Sequence, residues 1–135
     1  MNDCEDYIFD AVRKAVLAAY PNASIASEYI QTPAKFPHIS LWAHDNTPAI
    51  GKQTNGKQEA VSTLAFTVNV YSNLRNRKKS EAKRIMELID AELYKLNCIR
   101  TSYLPVPNML DTTIYRLTAT YRVDYDGVNL YLYRS

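Results

Sequence analysis

The sequence predicts an α+β domain in which two helices pack on one face of a mainly antiparallel sheet, in the order α-β-β-β-α-β-β-β. Three observations lead there. Residues 3–20 and 80–96 repeat apolar side chains at helical spacing. Residues 60–71 and 112–125 alternate apolar and polar side chains with the period of a strand. Asp126-Gly127, set between apolar runs, is a two-residue hairpin signal. The 135 residues suit a single domain over 1–135, long enough to bury about two-thirds of its unfolded surface without staples.

Each element has its own signature. In the first helix Cys4, Ile8, Ala11, Val12, Ala15 and Ala19 form the apolar stripe. Asp3 is the expected N-cap, Glu5 and Asp6 suit the first turn, and Pro21 ends it. Residues 23–31 read as a strand, and Pro33 and Pro37 bracket a connector. Residues 38–45 alternate, with Ile39, Leu41 and Ala43 on one face and His38, Ser40, Trp42 and His44 on the other. The polar stretch 46–58 follows and holds Gly51 and Gly56, two of the three glycines in the chain. A loop this long in a compact domain is usually functional or disordered.

Residues 60–71 give the clearest strand, with Leu64, Phe66, Val68 and Val70 on one face. The second helix is expected from Ser80, a good N-cap, to about Leu96, its stripe made by Ala82, Ile85, Met86, Ile89, Leu93 and Leu96. A short strand spans 98–104. In the last long strand Tyr115, Leu117, Ala119, Tyr121, Val123 and Tyr125 point one way, and Arg116, Thr118, Thr120, Arg122 and Asp124 the other. A two-residue Asp126-Gly127 turn then sets Tyr125 against Val128, Val123 against Leu130 and Tyr121 against Leu132. On the opposite side it sets Arg122 against Tyr131 and Thr120 against Tyr133.

Composition narrows the class. The chain is 47% hydrophobic and 22% charged, a globular balance. No apolar run approaches the ~18 residues of a membrane span, so no membrane partner is expected. Acids among the first twenty residues argue against a signal peptide, and Cys4 and Cys98, without CxxC spacing, are expected as reduced core thiols in a cytosolic setting. The net charge of +2 is unevenly placed. Residues 72–84 hold six cations and one anion, a net +5, and the remainder ten cations and thirteen anions, a net −3. Arg75, Arg77, Lys78 and Lys79 sit where the second helix begins. That pole carries partial positive charge, and each exposed cation there costs roughly 0.3–1 kcal/mol.

The search for chemistry is empty. His38 and His44 lie ~20 Å apart along an extended strand, too far for one metal ion, and read as surface or interface residues. No phosphate-binding glycine loop and no Gly-x-Ser-x-Gly motif is present. Glu87, Asp90 and Glu92 read as the solvated side of the second helix. No catalytic, cofactor-binding or metal-ligating residue is expected. The tyrosines are more suggestive: of eleven, five lie in residues 115–133. Tyr131 and Tyr133, opposite the expected core, are either a contact surface or covered by a second layer of the same chain.

The segments "FPHISLWAHDN", "VNVYSN" running into a charged turn, the "SEAKRIMELID" helix and "PNMLDTTIYRLTATYR" together resemble the small tail-terminator (tail-completion) proteins of long-tailed bacteriophages and prophages, within the wider group of head–tail joining proteins. The resemblance spans nearly the whole chain and rests on structural motifs. It implies a homo-oligomeric ring, typically of six subunits, at the head-proximal end of the tail tube. One ring face stops addition of tail-tube protein and the other docks the head connector or stopper. DNA passes through the lumen without sequence recognition. It also implies no catalysis and no cofactor, with synthesis in the bacterial cytoplasm and final residence at the head–tail junction of the virion. Partner or subunit contacts are then expected from Arg75, Arg77, Lys78 and Lys79; from the loop bearing Gly51, Lys52, Asn55, Gly56 and Lys57; and from Arg122, Tyr131 and Tyr133 on the outer side of the C-terminal hairpin. The near alternative is another neck protein, a stopper or adaptor. A nucleic-acid-binding module using the basic joint is the alternative from a different class, and a small enzyme is the third.

Overall fold

The computed structural model describes residues 4–28, 33–48, 61–107, 112–126 and 131–133. The elements are α1 (Glu5–Ala19), β1 (Ser24–Ala26), β2 (His38–Pro48), β3 (Val61–Ser72), α2 (Lys78–Lys95), β4 (Ile99–Pro105), β5 (Tyr115–Asp126) and β6 (Tyr131–Tyr133). This is the α+β class and the element order that the periodicities predict. The sheet runs β1-β2-β3-β5-β4, and β6 extends the end of β5. Only the β1–β2 pair is parallel among the described pairs.

Period-2 patterning sets the core. Ile39, Val70 and Leu117 pair across three strands, as do Leu41, Val68 and Ala119; Phe66 faces Tyr121 and Leu64 faces Val123. All ten are buried, and the Phe66 and Tyr121 rings stack with centroids 5.6 Å apart. The helices close this layer from one side with Ile8, Val12 and Val16 of α1 and with Ala82, Ile85, Met86, Ile89 and Leu93 of α2. The α1 stripe differs in detail from the expected one. Val16 takes part through the i+4 repeat Ile8, Val12, Val16, whereas Ala19 in the last turn is exposed. The residue before α1 is Cys4, with no side-chain cap; the expected cap Asp3 lies outside the described residues.

The C-terminus of α2 is capped by backbone. Asn97 adopts φ 65°, a left-handed conformation that asparagine tolerates. Its N–H reaches the Tyr94 carbonyl at 3.0 Å, and the Cys98 N–H reaches that of Leu93 at 3.0 Å. These are the two bonds of a Schellman motif. They turn the chain into β4 and bury Cys98 under the helix end.

Three boundaries move. The strand expected over 23–31 shrinks to Ser24–Ala26, paired in parallel with His38–Ser40. Helix α2 starts at Lys78 rather than after a Ser80 cap: the turn closed by Arg77 N–H to the Leu74 carbonyl (3.0 Å) already delivers the chain in helical form, and Glu81 N–H bonds Arg77 O at 2.9 Å. Ser80 is therefore an exposed residue inside the first turn. The hairpin register also differs. Tyr125 faces Leu132, Asp126 faces Tyr131 and Asp124 faces Tyr133, four residues out from the expected pairing. The cause is competition for one edge: β4 pairs with β5 from Leu117 to Arg122, so β6 takes only what lies beyond. Arg122 faces Ile99, not Tyr131, and Thr120 faces Ser102, not Tyr133. The side assignment survives because a shift of four preserves the period of two.

Candidate interface at the basic joint

Strand β3 ends at Ser72, and six residues later α2 begins. The joint is fixed at both ends. Ser72 Oγ donates to Glu81 Oε1 at 2.7 Å, tying the strand end to the first turn of the helix. Asn76 takes φ 66°, the left-handed conformation that lets the chain reverse within the turn. Lys78 Nζ donates to the Thr112 carbonyl at 2.9 Å, linking the joint to the segment that enters β5.

This geometry presents the cations outward. Arg75, Arg77 and Lys79 are exposed and Lys78 half-buried; among the described residues none of the four forms an ion pair. They line a groove of about 670 Å³ with Asn73, Leu74, Ser80, Thr112 and Thr113. A second groove, of about 410 Å³, continues from it past Arg77, Ser80 and Arg84 to Tyr20 at the end of α1. Leu74, 44% exposed, stands where the two meet. Arg77 is the N-cap and offers no side-chain cap. The sequence expectation of cations at the wrong helix pole therefore holds, and the earlier helix start draws them further into that pole.

The other expected contact residues lie elsewhere. Arg122 is exposed on β5 and pairs across the sheet with Ala65, while the basic joint follows Ser72. The two are about 23 Å apart along β3. The loop residues Gly51, Lys52, Asn55, Gly56 and Lys57 lie outside the described residues. Its flanks, Pro48 and Val61, are at the Arg122 end of the sheet, and the first residues of the expected loop, 46–48, belong to β2. The backbones of Tyr131 and Tyr133 pair with Asp126 and Asp124; their side chains lie outside the described set.

Two polar clusters escaped the sequence reading. His38, expected at a surface, is 2% exposed. Its Nδ1 is 3.1 Å from Ser24 Oγ and its Nε2 3.2 Å from Ser40 Oγ, and burial lowers its pKa. Nearby, Asn69 Oδ1 accepts from Thr118 Oγ1 and Arg116 Nε. His44 is exposed beside the bulge between Ala43 and Asp45, and the described residues hold no cluster of three or more potential metal ligands. The second cluster joins three elements. Asp90, expected on a solvated helix face, accepts from Tyr121 Oη at 2.8 Å and lies 3.5 Å from Arg100. Burial, and then the bond to Asp90, raises the Tyr121 pKa. No periodic signal marks Asp90, because it lies at the border of the α2 stripe.

Both cysteines are free and buried. Burial, with Cys4 next, pushes the Cys98 thiol up to about 12, which keeps it protonated and unreactive near neutral pH. What the basic joint offers is a rigid, cationic, partly apolar surface suited to binding. Comparison with protein-family models gives no match, and neither does comparison with curated proteins.

Proposed function

We propose that this chain is a structural protein of the bacteriophage tail-terminator type, which assembles as a ring on the head-proximal end of the tail tube, stops tube growth and offers a docking face to the head connector. The observation that carries the reading is the basic joint. It belongs to the "VNVYSN"-turn-helix unit on which the resemblance rests, and it is rigid, exposed and paid for in helix stability. A cation at a helix N-terminus is disfavoured within its own chain; pairing with acidic groups across a subunit or partner contact outweighs a few tenths of a kcal/mol. The outer side of the β5–β6 hairpin, with Arg122, Tyr131 and Tyr133, and the 51–57 loop are the further contact candidates on this reading.

The test is charge reversal. Replacing Arg75, Arg77, Lys78 and Lys79 with Glu is expected to leave the circular dichroism spectrum native, while ring formation and tail joining are lost. Normal joining by the reversed protein defeats the proposal. Binding of the dilute monomer to DNA, with a salt slope matching several phosphates, favours the nucleic-acid-binding alternative instead.

A further inference from the structure

Helix α2 carries its charges backwards at both ends. Lys78, Lys79, Lys83 and Arg84 occupy its N-terminal half, and Glu87, Asp90 and Glu92 its C-terminal half. Each group opposes the helix macrodipole; only Lys95 in the last turn suits it. Helix α1 has the ordinary polarity, with Glu5, Asp6 and Asp10 first and Arg13 and Lys14 after.

The two helices are antiparallel. Tyr20, after α1, shares a groove with Arg77, Ser80 and Arg84 at the start of α2, and Tyr7 and Asp10 near the start of α1 share one of about 540 Å³ with Glu92 near the end of α2. An α2 of ordinary polarity would set cations beside the acids of α1 and neutralise them. The reversed α2 instead gathers like charge at each end of the helix layer. Residues 5–10 and 87–92 together hold six acids and no Lys or Arg, whereas residues 75–84 hold six cations and one acid.

Internal bonds use only part of this charge. Glu5 bonds the Ala43 N–H, Asp90 is held by Tyr121 and Arg100, and Glu92 lies 3.8 Å from Lys95. Asp6, Asp10 and Glu87 are exposed and, among the described residues, form no ion pair; Lys14 is the cation that lines the acidic groove. Each end also exposes one large apolar side chain, Leu74 at the basic end and Tyr7, 61% exposed, at the acidic end. The ends stand about 20 Å apart, the rise of α2 from Lys79 to Glu92.

We infer that the basic end of the helix layer, around Leu74, Arg77 and Lys79, docks on the acidic end, around Tyr7, Asp10 and Glu92, of a second copy of this chain. Two complementary patches at opposite ends of one molecule make a heterologous, head-to-tail contact, which closes into a ring when the rotation per subunit permits. The apolar side chains supply the desolvated centre and the charges set orientation and rate. The inference deepens the ring reading and rests on it for the closure.

Sedimentation velocity tests it with two double variants. Arg77→Glu/Lys79→Glu makes both ends acidic, and Asp10→Lys/Glu92→Lys makes both ends basic. Wild-type protein is expected to self-associate at low ionic strength and to dissociate as salt rises. Each variant alone is expected to associate at least about tenfold more weakly, with unchanged circular dichroism, and an equimolar mixture of the two to regain association. A wild-type chain that stays monomeric at low salt overturns the inference, as does wild-type-like association by either variant, or a mixture that remains dissociated. Rings that form on tail tubes with either variant overturn this contact while sparing the ring reading. Head-to-tail association without any tail binding defeats the terminator reading and leaves this contact standing.

Discussion

His38 sits between two serine hydroxyls with almost no access to water. The Tyr71 ring lies 5.8 Å from it and 5.7 Å from the Arg116 guanidinium, so a proton on His38 adds a second cation to a buried region. Burial thus depresses the folded-state pKa below the ordinary value. The unfolded chain binds the proton more readily, so stability is complete above about pH 6.5 and declines as pH falls towards the folded-state pKa. His38→Gln is expected to flatten the change in melting temperature between pH 7.5 and pH 5.5, and an unchanged slope would show that another group sets it. Tyr121 acts at the same scale. Its hydroxyl ties β5 to Asp90 of α2, and Tyr121→Phe is expected to cost about 0.5–1.5 kcal/mol in urea denaturation, the lower part if water reaches Asp90. Neither residue was legible beforehand. Alternation assigns each to a face, but what that face meets depends on partners remote in sequence.

At the scale of elements, the faces of β2, β3 and β5 were legible because a period of two assigns every side chain regardless of which strand comes next. The apolar stripe of α2 was legible for the corresponding helical reason. The hairpin register was not, since it is decided by β4 occupying the β5 edge as far as Arg122, a tertiary effect. The start of α2 was misread for a related reason: a preference of about 1 kcal/mol for serine at an N-cap yields to a turn that is already helical at Lys78. Of the candidate interface, the four cations and their position at the wrong pole could be read directly. The grooves beside them and the exposed Leu74 required the fold. Helix α2 makes its own prediction. Lys79→Glu puts an acid where the dipole favours one and is expected to raise stability by roughly 0.5–1 kcal/mol, seen as a higher melting temperature. It is also expected to weaken assembly. Lower stability in the variant would show that Lys79 serves the fold of the single chain.

For the molecule as a whole, these observations describe a rigid sheet with a charge-segregated helix layer, its cations displayed at a joint where they cost the isolated chain stability. Such a protein works by contact on this account: it gathers copies of itself and caps a tube. Electron microscopy of purified tail tubes incubated with the chain tests that claim most directly. The account predicts a single closed ring, of six subunits as in the family it resembles, at one end of each tube, with tube growth halted there. Bare tube ends that continue to elongate beside free monomer would contradict it.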